Sequence, residues 1–156
     1  MIEGNYQKWD RRFMRLACEA RSWVKGPDLG VGACLVSPDN RGMSLGYSGL
    51  PRGMKDSTQR ITETEFKDFH IVHAELNAIL NASRSVVGWT MYSTTHPCSH
   101  CASAIIQAGV RRVVAPRPTQ EQLDTSRWRA SWTHARIAFK EAGVIFFEYE
   151  EALPCD

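Results

Sequence analysis

The sequence has no apolar run approaching the roughly 18 residues that a membrane-crossing helix needs. Its opening stretch, Met1 to Asp10, is polar and lacks the apolar core of a signal peptide. Both absences make a cytoplasm the expected compartment, and so short a chain would suit a bacterium or a virus-infected host cell. The sequence also lacks a large excess of either charge. Nineteen basic and seventeen acidic residues leave a net charge of +2. That balance argues against the basic surface that tracks nucleic-acid phosphates or an anionic membrane. No low-complexity segment, internal repeat, phosphate-binding P-loop or glycine-rich dinucleotide turn is present. Cysteine is sparse and odd in number: Cys18, Cys34, Cys98, Cys101 and Cys155. Five thiols do not make a disulfide framework. In a reducing compartment, a close cysteine pair more often serves metal or redox chemistry.

What is present fits one globular domain over residues 1–156. Apolar residues make up 43% and charged residues 23%. A chain of this length buries roughly two-thirds of its unfolded surface and needs no cross-link to hold a core.

Tyr6, Trp9, Phe13, Leu16, Ala20 and Trp23 recur at steps of three and four, the spacing of an amphipathic helix, and Gly26-Pro27 ends it. Residues 31–36 and 43–47 read as a hairpin across the turn Pro38-Asp39-Asn40-Arg41-Gly42. The stretch 48–69 reads as a long functional loop, or a loop with a short helix. Helices are expected over 74–83, 97–108 and 127–142, the last two stopped by Gly109 and Gly143. Strands are expected over 90–94, 112–115 and 144–149. Strands alternating with helices imply parallel units. The result is an α/β fold: a three-layer α/β/α sandwich around a mixed five-stranded sheet, the first hairpin forming its antiparallel edge.

Two short segments carry the chemistry: His73-Ala74-Glu75 and Pro97-Cys98-Ser99-His100-Cys101. Each opens a predicted helix after a loop or strand. Cysteines three apart at a helix start put both sulfurs on one face of the first turn. The unpaired N–H groups and the positive helix end favour thiolates there. Cys98, Cys101 and His73 make three zinc ligands and leave a fourth tetrahedral position for water, the form of a catalytic site. Zinc brings the pKa of such a water towards neutrality. Glu75, two residues past His73, is close enough to move protons without being a ligand. A redox role for the Cys-x-x-Cys pair lacks a thioredoxin-like context, and a structural zinc knuckle lacks a second pair.

Other candidates read as structural. His70 suits a loop or packing position, His100 and His134 a surface. Cys18 and Cys34 fall on apolar faces and read as core. Cys155 lies in the tail and reads as inert. The five tryptophans read mostly as core.

His-x-Glu followed by Pro-Cys-x-x-Cys matches the signature of zinc nucleobase deaminases. More specifically, the sequence resembles the deoxycytidylate (dCMP) deaminases from about residue 16 to residue 147. The likeness rests on Val31-Gly32-Ala33-Cys34, on Gly46-Tyr47-Ser48-Gly49-Leu50-Pro51-Arg52-Gly53, on the run from Val72 to Ala82, and on Pro97 to Cys101 with Ala104 to Val110. The resemblance implies a cytidine-deaminase-like fold and hydrolysis of dCMP to dUMP for thymidylate synthesis. It implies zinc on His73, Cys98 and Cys101, with Glu75 as proton shuttle. The 48–53 loop, with Ser48, Gly49 and Arg52, would contact the nucleotide. Lys25 and Arg52 would supply positive charge to its 5′-phosphate. Gly46, Tyr47 and Arg84 would lie near effector or subunit contacts. Family members are commonly homo-oligomers, often hexamers, activated by dCTP (a triphosphate that brings Mg²⁺) and inhibited by dTTP.

Three departures fall where substrate or effector would be read. Ser48 stands where the family has Asn. Val24-Lys25-Gly26-Pro27 stands for Ser-Lys-Asp-Pro. His96 replaces an apolar residue before Pro97 and becomes a substrate-contact candidate. They keep open a deaminase for a modified dCMP, dCTP or an adenine nucleotide. A nucleic-acid-editing protein on the same scaffold conflicts with the balanced charge, and a non-catalytic zinc protein has no need of Glu75.

Overall fold

Five strands form one mixed sheet in a computed structural model that describes residues 3–27 and 30–156, and in the first helix the side chains from Lys8 onward. The strands are β1 (Gly32–Val36), β2 (Met43–Tyr47), β3 (Thr90–Ser93), β4 (Arg112–Pro116) and β5 (Ile145–Tyr149). Their order across the sheet is β2-β1-β3-β4-β5. β1 pairs antiparallel with β2 and β3, and β3-β4 and β4-β5 are parallel. The expected hairpin edge and mixed sheet are therefore present.

Side chains alternate across the strands and fill two cores. Ala33, Leu35, Met91 and Val113 face one side, and Cys34, Val36, Tyr92 and Val114 the other. Phe13, Met14 and Ala17 of α1 (Glu3–Ser22) cover the second face. The first face is covered by α4 (Ala74–Asn81), α5 (Ser99–Gln107) and α7 (Arg129–Glu141), through Ala78, Ile105 and Phe139. This is the expected three-layer sandwich. Two glycines permit its close approaches. A Cβ on Gly32 would overlap the Ala17 carbonyl of α1, and one on Gly46 would overlap the backbone of Ala74 and Ala78 in α4.

Several boundaries differ from the sequence reading. Tyr6 lies outside the described side chains. α1 ends at Ser22, before Gly26-Pro27. Pro97 does not begin α5; Cys98 is its N-cap. The 48–69 stretch carries two short helices, α2 (Thr58–Thr62) and α3 (Thr64–His70). An unexpected helix, α6 (Gln120–Thr125), is held by a capping box between Thr119 and Gln122. That box was visible as Thr-x-x-Gln. Of the tryptophans, only Trp89 and Trp132 are buried; Trp9 and Trp23 are exposed and Trp128 is half-buried.

The cysteines bring a further correction. Cys155 is not inert and Cys18 is not a free core thiol: the two form a disulfide, their Cα atoms 5.4 Å apart. The tail folds back over α1. Arg11 pairs with Glu151, Leu153 packs on the second core, and Arg21 reaches Cys155 and Asp156. The disulfide and these side-chain pairs, 134 to 140 residues apart in sequence, were beyond local pattern.

Candidate metal centre and active site

The N-termini of α4 and α5 meet beside the ends of β1 and β3. His73 is the N-cap of α4 and Cys98 the N-cap of α5. The Cys98 sulfur takes the capping place usually held by an oxygen and accepts the Cys101 backbone N–H at 3.4 Å. Across the gap, His73 Nδ1 lies 3.5 Å from Cys98 Sγ and 3.3 Å from Cys101 Sγ. Tetrahedral zinc, with Zn–S of about 2.3 Å and Zn–N of about 2.0 Å, sets its S and N ligands about 3.5 Å apart. The donor set and its spacing thus fit zinc. Among the described residues this is the one cluster of at least three His, Cys, Asp or Glu side chains that could hold a metal. The Cys98 thiol is pulled down to about 4, first by its hydrogen bond with Cys101 and also by His73. The same bond, with burial, pushes the Cys101 thiol up. His73 is raised, chiefly by its hydrogen bond to Cys98. A bound divalent cation deprotonates both thiols.

Glu75 sits in the first turn of α4, only 3% exposed. Its Oε2 lies 3.6 Å from Cys101 Sγ, and its Oε1 accepts the Ser93 hydroxyl at 3.1 Å. Burial pushes its carboxyl above the usual carboxylate range. A carboxyl so held is a stronger proton acceptor than an exposed one, which suits a proton carrier.

A cavity of about 500 Å³ opens onto His73, Glu75 and Cys98. Lys25, Tyr47, Ser48, Gly49, Arg52 and His96 all line it. Gly49 and Val72 exchange two backbone hydrogen bonds, of 3.1 and 2.8 Å, which tie the 48–53 loop to the residue before His73. Ser48 Oγ accepts the Val31 N–H at 3.1 Å. Its hydroxyl hydrogen and one lone pair are left for a ligand. Lys25 pairs with Asp56, and Arg52 donates to Asn81 Oδ1 at 3.2 Å.

His96 is placed differently from a substrate-reading side chain. It is 3% exposed, and its ring packs on Trp132 and Phe146. Nδ1 is 3.0 Å from the Pro97 carbonyl oxygen, and Nε2 is 3.5 Å from Glu148 Oε1 without a hydrogen bond. Burial lowers its pKa. It forms part of the wall. Gly46 is likewise buried beneath α4 and not on a contact surface. Arg84 is not brought to the site. It lies over the Trp89 ring, 5.0 Å from its centroid, in a separate groove with Arg41.

Three contributors escaped the sequence reading. Trp128, read as core, stands edge-on to His73 with ring centroids 6.0 Å apart and lines the cavity. Arg127 lies over Trp128 and grips Asp68 of α3 with two hydrogen bonds of 2.7 and 2.8 Å. Ser93 is the third. A tryptophan at a helix start and a serine ending a strand carry no local signal of a site.

Comparison with known proteins agrees with this geometry. Residues 7–116 match the cytidine and deoxycytidylate deaminase zinc-binding region. An uncharacterized deaminase from the luxG 3′ region of Aliivibrio fischeri is 39% identical over 137 residues, 88% of this chain and 90% of its own. The deoxycytidylate deaminase of Homo sapiens is 36% identical over 151 residues, 93% of this chain and 82% of its own. The crystal structure of dCMP deaminase from the cyanophage S-TIM5, in apo form, superposes with a TM-score of 0.67 at 22% identity. The match covers 91% of this chain and 98% of that one, and shows the same fold. The chain therefore belongs to the zinc-binding cytidine and deoxycytidylate deaminase family, with deoxycytidylate deaminases among its relatives.

Proposed function

We propose that this protein hydrolyses dCMP to dUMP and ammonia, supplying dUMP for thymidylate synthesis. The observation that carries the reading is the buried Glu75 beside the His73, Cys98 and Cys101 cluster, at the floor of a cavity large enough for a nucleotide. The kinship with the human deoxycytidylate deaminase supports the choice of base. His73, Cys98 and Cys101 would hold zinc, which would supply Lewis-acid activation of a water.

Glu75 takes a proton from the attacking water and passes it to the ring nitrogen of the base. A second proton, moved through the same carboxylate, goes to the exocyclic amine. The C4–N bond then breaks, ammonia leaves, and the oxygen stays on C4. Burial of Glu75 keeps bulk water from competing for these protons. Lys25 and Arg52 lie on the cavity wall, where they can meet the 5′-phosphate, and Trp128 offers a flat apolar wall to the base.

Ser48 favours a second reading. With one lone pair committed to Val31, it offers a ligand less than an amide would. That leaves room for a modified dCMP, dCTP or an adenine nucleotide. Family resemblance further suggests a homo-oligomer, with a hexamer favoured, working in the cytoplasm and controlled by dCTP with Mg²⁺ and by dTTP. The exposed Trp23, packed edge-on against the exposed Tyr47 of the cavity lining, suits a subunit contact.

The test is ammonia release from dCMP, CMP, dCTP, deoxycytidine, 5-substituted dCMP and dAMP, each with and without dCTP and Mg²⁺. Turnover of dCMP well above the rest is the expected result. Silence on dCMP with turnover of another member would move the same mechanism to that substrate.

A further inference from the structure

We infer that Ser93 is a positioning residue for Glu75, aiming the carboxylate that moves the protons. The inference rests on the reading of Glu75 as proton carrier. Ser93 ends β3, is fully buried, and precedes the loop that delivers Cys98. Its Oγ lies 3.4 Å from the Thr95 N–H, which donates to it. With that lone pair occupied, the hydroxyl hydrogen turns to Glu75 Oε1 at 3.1 Å.

Among the described residues, two side chains donate to Glu75: Ser93 to Oε1 and the Cys101 thiol to Oε2. The Ser93 contact is the shorter of the two, and a thiol is only a weak donor. Ser93 is therefore the firmer hold on the carboxylate. Its hold on Oε1 leaves Oε2 facing the metal cluster. One strand end therefore leads into two of the metal ligands and also orients the proton carrier. Misplacement of a reacting group by about 1 Å can cost on the order of 10²-fold in rate.

Valine and threonine at position 93 fill nearly the same volume and differ in the hydroxyl, so the pair S93V and S93T isolates it. The substrate is the one that the wild-type protein turns over fastest. We expect kcat in S93V to fall at least tenfold, with KM and zinc stoichiometry within twofold of wild type, and S93T to recover most of the loss. In crystals of the zinc-loaded variants, the Glu75 carboxylate should be turned in S93V and in its wild-type place in S93T. Equal kcat in S93V and S93T, or an unmoved Glu75 in S93V, would overturn the inference. Loss of zinc from both variants with failure of both would also overturn it, since Ser93 would then serve only the fold. A wild-type protein without turnover on any nucleotide would instead count against the proposed function. The crystals would still decide the role of Ser93.

Discussion

Gly46 of β2 lies directly beneath Ala74 of α4, so close that a Cβ on the glycine would overlap the Ala74 carbonyl oxygen. Ala74 is flanked by His73 and Glu75, so this contact sets the height of both above the sheet. Gly46→Ala forces α4 outward. Overpacking of this kind typically costs about 1–3 kcal/mol. For a chain of this size, that lowers the melting temperature by about 3–10 °C. The displaced His73 should also weaken zinc retention. Calorimetry and zinc content on the same sample check both effects. A variant with wild-type melting and wild-type zinc would show that α4 rides over the added methyl.

Glu75→Gln keeps the shape of the side chain and removes its capacity to carry a proton. Zinc should stay bound in full, because Glu75 is not among the three ligand-distance groups. Turnover should fall by about 10²–10⁴-fold or more, the usual range for a general acid-base group. Zinc analysis and steady-state kinetics make the comparison. Turnover near wild type would remove Glu75 from the proton path.

Removal of the metal should abolish turnover and leave the sheet intact. The three ligands sit at helix N-termini, outside both apolar cores. A strong chelator should therefore silence the enzyme with little change in far-ultraviolet circular dichroism, and added Zn²⁺ should restore activity. The melting temperature should fall on chelation, since an ion that binds only the native state stabilises it. Activity that persisted after complete removal of zinc would refute the metal centre.

Arg52→Ala should raise KM for a nucleoside monophosphate far more than for the free nucleoside. Arg52 and Lys25 both line the cavity, and each already has a polar partner, Asn81 and Asp56. A phosphate competes for these partnered cations through charge-assisted hydrogen bonds. Lys25→Ala should act in the same direction. Equal effects on nucleotide and nucleoside would place the phosphate elsewhere.

The Cys18–Cys155 disulfide closes most of the chain into one loop. In the chain-entropy account, so long a loop contributes up to about 5 kcal/mol. Cys155→Ser, or reduction of the wild type, should therefore lower the melting temperature by several degrees. Activity at 25 °C should remain, because both cysteines lie outside the cavity lining. Alkylation with and without a reductant, read by mass spectrometry, counts the thiols. Identical counts in the two samples would mean that the pair is not joined in solution.

Much of this architecture is written in local pattern. The alternation of strands with helical spacing placed all five strands close to their observed bounds, because side-chain period follows backbone geometry. Gly109 and Gly143 stop α5 and α7 with φ of +80° and +70°, the left-handed conformation a glycine favours there. The small α6 was missed although its capping box was present, since an exposed six-residue helix has no apolar stripe to announce it.

His73, Glu75, Cys98 and Cys101 were legible because metal and proton chemistry restrict residue type so severely that four side chains and their spacing suffice. The surroundings of that core are set by contacts distant in sequence. Ser93 meets Glu75 across 18 positions, Arg127 meets Asp68 across 59, and Cys18 meets Cys155 across 137. His96 looked like a reader of substrate, yet the packing of Trp132 and Phe146 turned it into wall. The sequence by itself determined the chemistry, the order of elements and the two-faced sheet, all of which depend on residue type and short-range period. Only the tertiary structure decided which serine steadies the glutamate, which tryptophan faces the histidine and where the tail is tied. Those pairings arise when separate helices are packed on one sheet, and no local spacing encodes them.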